Sequence, residues 1–239
     1  MIAEDSSIAA DRMAALRRRF MEAGDSLKGF SGRDAVELIL GYSGQRTEAG
    51  QLAASLIERR MGLAGVMDAP ADELAAETGL CEATAILLKL VKALASSYLK
   101  ERLIGANPSA RPALLREYLS SAISGERIEK FLAVFLNGSG EAIAVEVMHE
   151  GTINQTIVYP RSSVEAALRH KAAGLIFAHN HPSGDPAPSD QDLQLIKTLD
   201  RAAAAAGLAV HDHLVAGRGK VWSAAENGWR MGRPFIARK

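Results

Sequence analysis

Two histidines stand one residue apart in IFAHNHPSGDPAPSDQD, Ile176 to Asp192, where a wholly apolar run gives way to a loop. Gly174 to Ala178 reads as a buried strand, and residues two apart on a strand face the same side, so His179 and His181 point together. Pro182 ends the ladder, since it has no N–H to donate. Ser189, with Pro188 before it and Asp192 three residues after it, has the pattern of a helix N-cap with an acid in the first turn. Asp192 is thereby placed at a helix start beside the loop that begins at His181. Two imidazoles and a carboxylate make a three-ligand zinc set whose open fourth position is the mark of a catalytic site. The same residues also read without a metal: the histidines as a polar strand mouth, Asp192 as a capping acid.

The elements around this stretch fall into two regions. From about Asp11 to Leu103, four segments carry apolar residues at three- and four-residue spacing and read as helices: DRMAALRRRFMEA, GRDAVELILGY, EAGQLAASLIERR and CEATAILLKLVKALASSYLKERL. GANPSARP, Gly105 to Pro112, cannot continue a helix and reads as the connection. The division expected is a helical domain over residues 1–107 and a second domain over 113–239. In the second, a helix at ALLREYLSSAI precedes β-rich segments at EKFLAVFLN, EAIAVEVMHEG and AGLIFAHNH, with SSVEAALRHKA and SDQDLQLIKTLDRAAAAAG as helices. The NGSGE step between the first two strands reads as a hairpin turn, making that pair antiparallel. The class is α+β or mixed.

Composition limits the function. Of 239 residues, 28 are acidic and 28 basic, so the chain as a whole lacks the cationic excess of a protein held to nucleic acid through phosphates. A single cysteine, Cys81, permits no intramolecular disulfide, MIAEDSSIAADRM does not resemble a signal peptide, and AAAAAGLAV is far too short to span a bilayer; a cytoplasmic protein away from membranes is expected.

Taken together, His179-Asn180-His181-Pro182 followed by Pro188-Ser189 and Asp192 resembles the JAMM motif of MPN-domain zinc hydrolases. The flanking YPR at Tyr159 to Arg161 and DHLVAG at Asp212 to Gly217 are similar to those of the bacterial RadC family. The resemblance covers nearly the whole chain and is strongest from Phe131 to Gly217. It implies a JAB/MPN domain, a mixed sheet flanked by helices, holding one Zn2+ per chain through His179, His181 and Asp192. Ser189 then takes the position whose hydroxyl helps stabilise a tetrahedral intermediate, and peptide or protein is the implied substrate.

Such chemistry needs a base. Glu129, Glu146 and Glu150 compete for it, and Glu129, which opens EKFLAVFLN, best resembles the family's glutamate at the beginning of the first strand. Arg161 reads as structural. His211 and His213 repeat the H-x-H spacing without a following acid; His211 departs from the family pattern, and His213 reads as a buried, hydrogen-bonded histidine. His149 and His170 read as surface residues.

The alternative is a DNA-associated accessory protein with a structural or vestigial metal site, because ETGLCEATAILLKLVKALA resembles a helix-hairpin-helix element that offers backbone N–H groups to phosphate. Gly79 fits, but Cys81 stands where a second glycine belongs, and residues 1–105 hold 15 acids against 13 basic residues, net −2. DNA therefore has weak support as a partner. Arg17, Arg18 and Arg19 read as a solvated helix face. Neither the substrate nor the oligomeric state is legible.

Overall fold

The apolar spacing of the first region produces helices that pack on one another, as the computed structural model shows; it describes residues 2–24 (side chains from residue 10), 26–45, 48–77, 79–151 and 160–229. Six helices come first: α1 (Ile2–Glu22), α2 (Gly32–Tyr42), α3 (Ala49–Arg59), α4 (Leu63–Asp68), α5 (Ala71–Ala75) and α6 (Glu82–Leu103). The short α4 and α5 fall between the four long segments that periodicity marks. The chain divides into two units, 1–94 and 95–239, and the division lies within α6.

In the first unit, Ser31 and Asp34 form a reciprocal capping box that starts α2. Met13, Val36, Leu40, Leu56, Val66, Leu74 and Leu88 supply its core. Arg17 lies over the Tyr42 ring and Arg19 over Phe30, so two of the three clustered arginines are held by aromatic faces. Gly79 has φ +85°, and a Cβ there would sit 2.9 Å from the Leu52 side chain. Backbone conformation and packing both call for glycine at that position, with or without a phosphate. Cys81 is exposed.

The second unit continues with α7 (Pro112–Ala122), β1 (Glu129–Leu136), β2 (Ala142–Gly151), α8 (Pro160–Arg169), β3 (Gly174–Asn180), α9 (Asp190–Ala205), β4 (Ala209–Gly217) and β5 (Lys220–Ser223). One mixed sheet results, in the order β2-β1-β3-β4-β5. The NGSGE turn gives the antiparallel β1–β2 pair, with Asn137 Oδ1 accepting from the Ser139 and Glu141 N–H groups. β3 and β4 are parallel and need a crossover, which α9 provides.

Strand alternation sends Leu132, Val134 and Leu136 of β1 and Ile176 and Ala178 of β3 to one face, against Leu115 and Leu119 of α7. Phe131, Ala133, Phe135, Leu175 and Phe177 face the other way, against α8 and α9. Both faces of the sheet are covered, which is why all seven residues of β3 are buried and why that segment reads as a continuous apolar run. Among the described residues, no helix is long and apolar enough to cross a membrane.

Glu146 lies on the edge strand β2, with Arg169 Nη2 at 2.7 Å and His170 Nε2 at 2.6 Å. His170 is less open than the sequence suggests, being partly covered and packed at a tilt against Phe135, ring centroids 4.6 Å apart. The hydrogen bond with His170, followed by the Arg169 charge, holds the Glu146 carboxyl below its ordinary pKa. A depressed carboxylate stabilises the fold above its unfolded pKa, and that contribution is lost as pH falls through the folded value. Because the Glu146 side chain is 34% exposed and that of Arg169 63%, Glu146→Gln is expected to cost only about 0.5 kcal/mol at neutral pH. The cost should fade as pH drops below the unfolded value of about 4.3 and vanish below the depressed folded value, in thermal melts of both proteins across that range.

Candidate metal centre

β3 ends at Asn180, and its last turn of alternation before the loop puts His179 into the interior, 1% exposed. His181 follows one residue past the strand, its N–H donating to Ala216 O at 2.9 Å, so it still tracks β4 before Pro182 turns the chain away. Ser189 caps α9, and Asp192 is the third residue of that helix. Three bonds tie the two together: the Ser189 N–H and hydroxyl donate to Asp192 Oδ2 at 2.7 and 2.6 Å, and the Asp192 N–H donates to Ser189 Oγ at 3.2 Å. The helix start also favours a carboxylate through its dipole.

Strand end and helix start therefore bring the donor atoms of three side chains together. His179 Nε2 lies 3.1 Å from His181 Nε2 and 3.2 Å from Asp192 Oδ1, and His181 Nε2 lies 3.3 Å from Asp192 Oδ2. A tetrahedral zinc with ligands at about 2.0–2.1 Å would separate its donors by roughly 3.3 Å, so each of these contacts is close to an edge of such a site, the two to Asp192 being made by different carboxylate oxygens. Glu129 Oε1, at the first residue of β1, is 3.9 Å from His179 Nε2, and one donor atom from each of the four residues lies within 4.8 Å of the others.

The outer ring nitrogens of both histidines are hydrogen-bonded. His181 Nδ1 is 2.8 Å from Asp185 O, a carbonyl that can only accept, so Nδ1 carries a proton and Nε2 is the nitrogen that faces the cluster, able to bind a cation that displaces its own proton. His179 Nδ1 is 2.8 Å from Nε2 of His213, which is fully buried and which burial holds well below its ordinary pKa, hence neutral. Burial works to raise the pKa of Asp192, yet hydrogen bonds with His179 and His181 outweigh it and keep the carboxyl well below the usual range. The bond with Asp192 raises His181 against the effect of burial. Two imidazole nitrogens and an ionised carboxylate this close together form a donor set that fits a cation, which would displace the protons they share.

The other residues marked by the sequence lie apart from this cluster. Glu146 pairs with Arg169 and His170, Glu150 reaches Lys130 at 3.4 Å, and Arg161 pairs with Glu165 on the exposed side of α8. Tyr159 of the YPR segment is outside the described residues. His211 and His213 do not behave as a strand pair. β3–β4 pairing steps from Leu175↔Val210 to Ile176↔Asp212, leaving His211 as the extra residue of a bulge, exposed while His213 is buried.

Sequence reasoning expects a buried, hydrogen-bonded His213 but not its partner, because β4 meets β3 only through the crossover. Holding His179 in tautomer and orientation gives His213 a measurable role: His213→Leu is expected to weaken metal affinity by about 10–100-fold in chelator competition, and unchanged affinity would remove it from the site.

A family model described as a RadC-like JAB domain matches residues 109–229. A UPF0758 protein of Stenotrophomonas maltophilia (strain K279a) is 38% identical over 205 residues, covering 84% of this chain and 80% of the relative.

Proposed function

The chain belongs to the RadC-like JAB-domain family, and from that premise we propose that it is a zinc-dependent hydrolase of the JAMM type, acting on a peptide or isopeptide bond. The observation that carries the reading is the cluster itself: two imidazoles and a carboxylate with neighbouring donor atoms 3.1–3.3 Å apart, with a fourth residue, Glu129, just beyond them. When bound, zinc polarises a carbonyl and makes water acidic enough to attack it near neutral pH.

The residues of the chain do the remainder. Glu129 Oε1 takes the proton of the attacking water and returns it to the leaving amine nitrogen, since cleavage needs a protonated amine and a carboxylate within reach can carry the proton both ways. His179, His181 and Asp192 hold the ion. Ser189, whose hydroxyl donates to Asp192 Oδ2, orients that carboxylate. On turning, the same hydroxyl donates to the oxygen that gains charge on the substrate carbon.

The test is to offer the zinc-loaded full chain to unbiased peptide and isopeptide libraries. Cleavage that stops with a chelator and returns with zinc is expected. A zinc-replete chain that cleaves nothing in either library would contradict the proposal.

A further inference from the structure

Asn180 sits between the two histidines, fully buried, and its carboxamide reaches across to the start of β1. Nδ2 donates to Ile128 O at 3.1 Å and to Glu126 O at 3.3 Å, and Oδ1 accepts from the Lys130 N–H at 2.8 Å. The amide orientation is fixed by its partners, because an N–H faces one end and two carbonyls the other. The Ile128 carbonyl and the Lys130 N–H belong to the two peptide groups on either side of the Glu129 Cα. One side chain therefore pins both peptide planes that aim the Glu129 carboxylate.

The physical need for it lies in the ladder. Main-chain pairing of β1 with β3 runs from Leu136↔Gly174 to Phe131↔His179 and stops there. Beyond it, the His181 N–H is spent on Ala216 O, on the β4 side, and Pro182 has no N–H. A carboxamide carries a donor and an acceptor in one plane, as a peptide group does. Asn180 thus supplies the rung that the departing backbone no longer provides, at the residue where β1 must present Glu129.

We propose that Asn180 is the positioning residue for Glu129, holding its carboxylate over His179, His181 and Asp192 through the peptide groups that flank it. The consequence for catalysis rests on the proposed function, in which Glu129 moves the proton; the positioning itself does not.

The test uses full-length, zinc-loaded Asn180→Ala and, should that variant fold poorly, the isosteric Asn180→Asp, which keeps an acceptor for Lys130 and loses the donors. In Asn180→Ala the Lys130 amide is expected to exchange with solvent roughly 10-fold faster, the scale of one net hydrogen bond, while Phe131 and Val134 keep their protection. In Asn180→Asp, Lys130 stays protected. Crystal structures of both variants should show Glu129 Oε1 farther from His179 Nε2 than 3.9 Å.

Zinc affinity by chelator competition is expected to be unchanged, since neither the ligands nor their outer partners are touched. On a fluorogenic peptide chosen from the library hits, kcat should fall with KM unchanged, and adding Asn180→Ala to Glu129→Gln should cost nothing further. Unaltered Lys130 exchange with Glu129 in place would overturn the inference, as would a collapse of zinc affinity. A wild-type chain that cleaves nothing, beside variants with released Lys130 and displaced Glu129, would count against the functional reading and leave the positioning role supported.

Discussion

Glu129→Gln is expected to keep its full zinc and lose turnover by roughly 10²–10⁴-fold, the usual contribution of a positioned general acid–base group. The glutamate stands farther out than the other three side chains, 3.9 Å from His179 Nε2, so removing its charge leaves those donors intact. Glutamine preserves the side-chain length and can still hydrogen bond, but it does not accept the proton. Glu146→Gln serves as the comparison. Its carboxylate is engaged with Arg169 and His170 on the edge strand, and turnover should be nearly unchanged. The measurement is kcat on a library-derived substrate, with zinc content determined on the same samples. An inactive, zinc-replete Glu146→Gln beside an active Glu129→Gln would transfer the base to β2; two active variants would sink the mechanism.

The second large effect belongs to the metal. His179→Ala is expected to take zinc from one per chain to none by elemental analysis. His179 is the most buried of the three donors, and its Nε2 lies within 3.2 Å of both others, so the variant retains only His181 and Asp192, too few to hold the ion against chelator. Full zinc in the variant would move the site elsewhere, with His213 and the exposed His211 the first place to look.

What the sequence shows of this site follows from how local each relationship is. His179 and His181 are two residues apart at a strand end, and Ser189 and Asp192 three apart at a helix start, so extended-chain alternation and capping chemistry place them without knowledge of the rest of the fold. Glu129 lies 50 residues before His179. Its arrival depends on β1–β3 register, which local periodicity cannot supply, and it was the family resemblance that singled it out from Glu146 and Glu150. His213 shows the limit most plainly. Its H-x-H spacing with His211 matches that of His179 and His181, yet a bulge in β4 exposes one and buries the other. Asn180 reads in the sequence only as the spacer between two histidines, because the backbone groups it holds lie on another strand.

The sheet order has the same character. Helices, strands and the hairpin at NGSGE follow from periodicity and turn residues, whereas the parallel β3–β4 pair is fixed by packing α9 back across the sheet.

The central claim is that His179, His181 and Asp192 hold one zinc that Glu129 faces without ligating. Its most direct test is a crystal of the full-length chain grown with zinc, with anomalous scattering collected on either side of the zinc edge. The account predicts a single protein-bound peak about 2.0–2.2 Å from His179 Nε2, His181 Nε2 and an Asp192 carboxylate oxygen, with Glu129 beyond bonding distance. A peak at His211 or His213, or one that includes Glu129 as a ligand in place of any of the three, would contradict it.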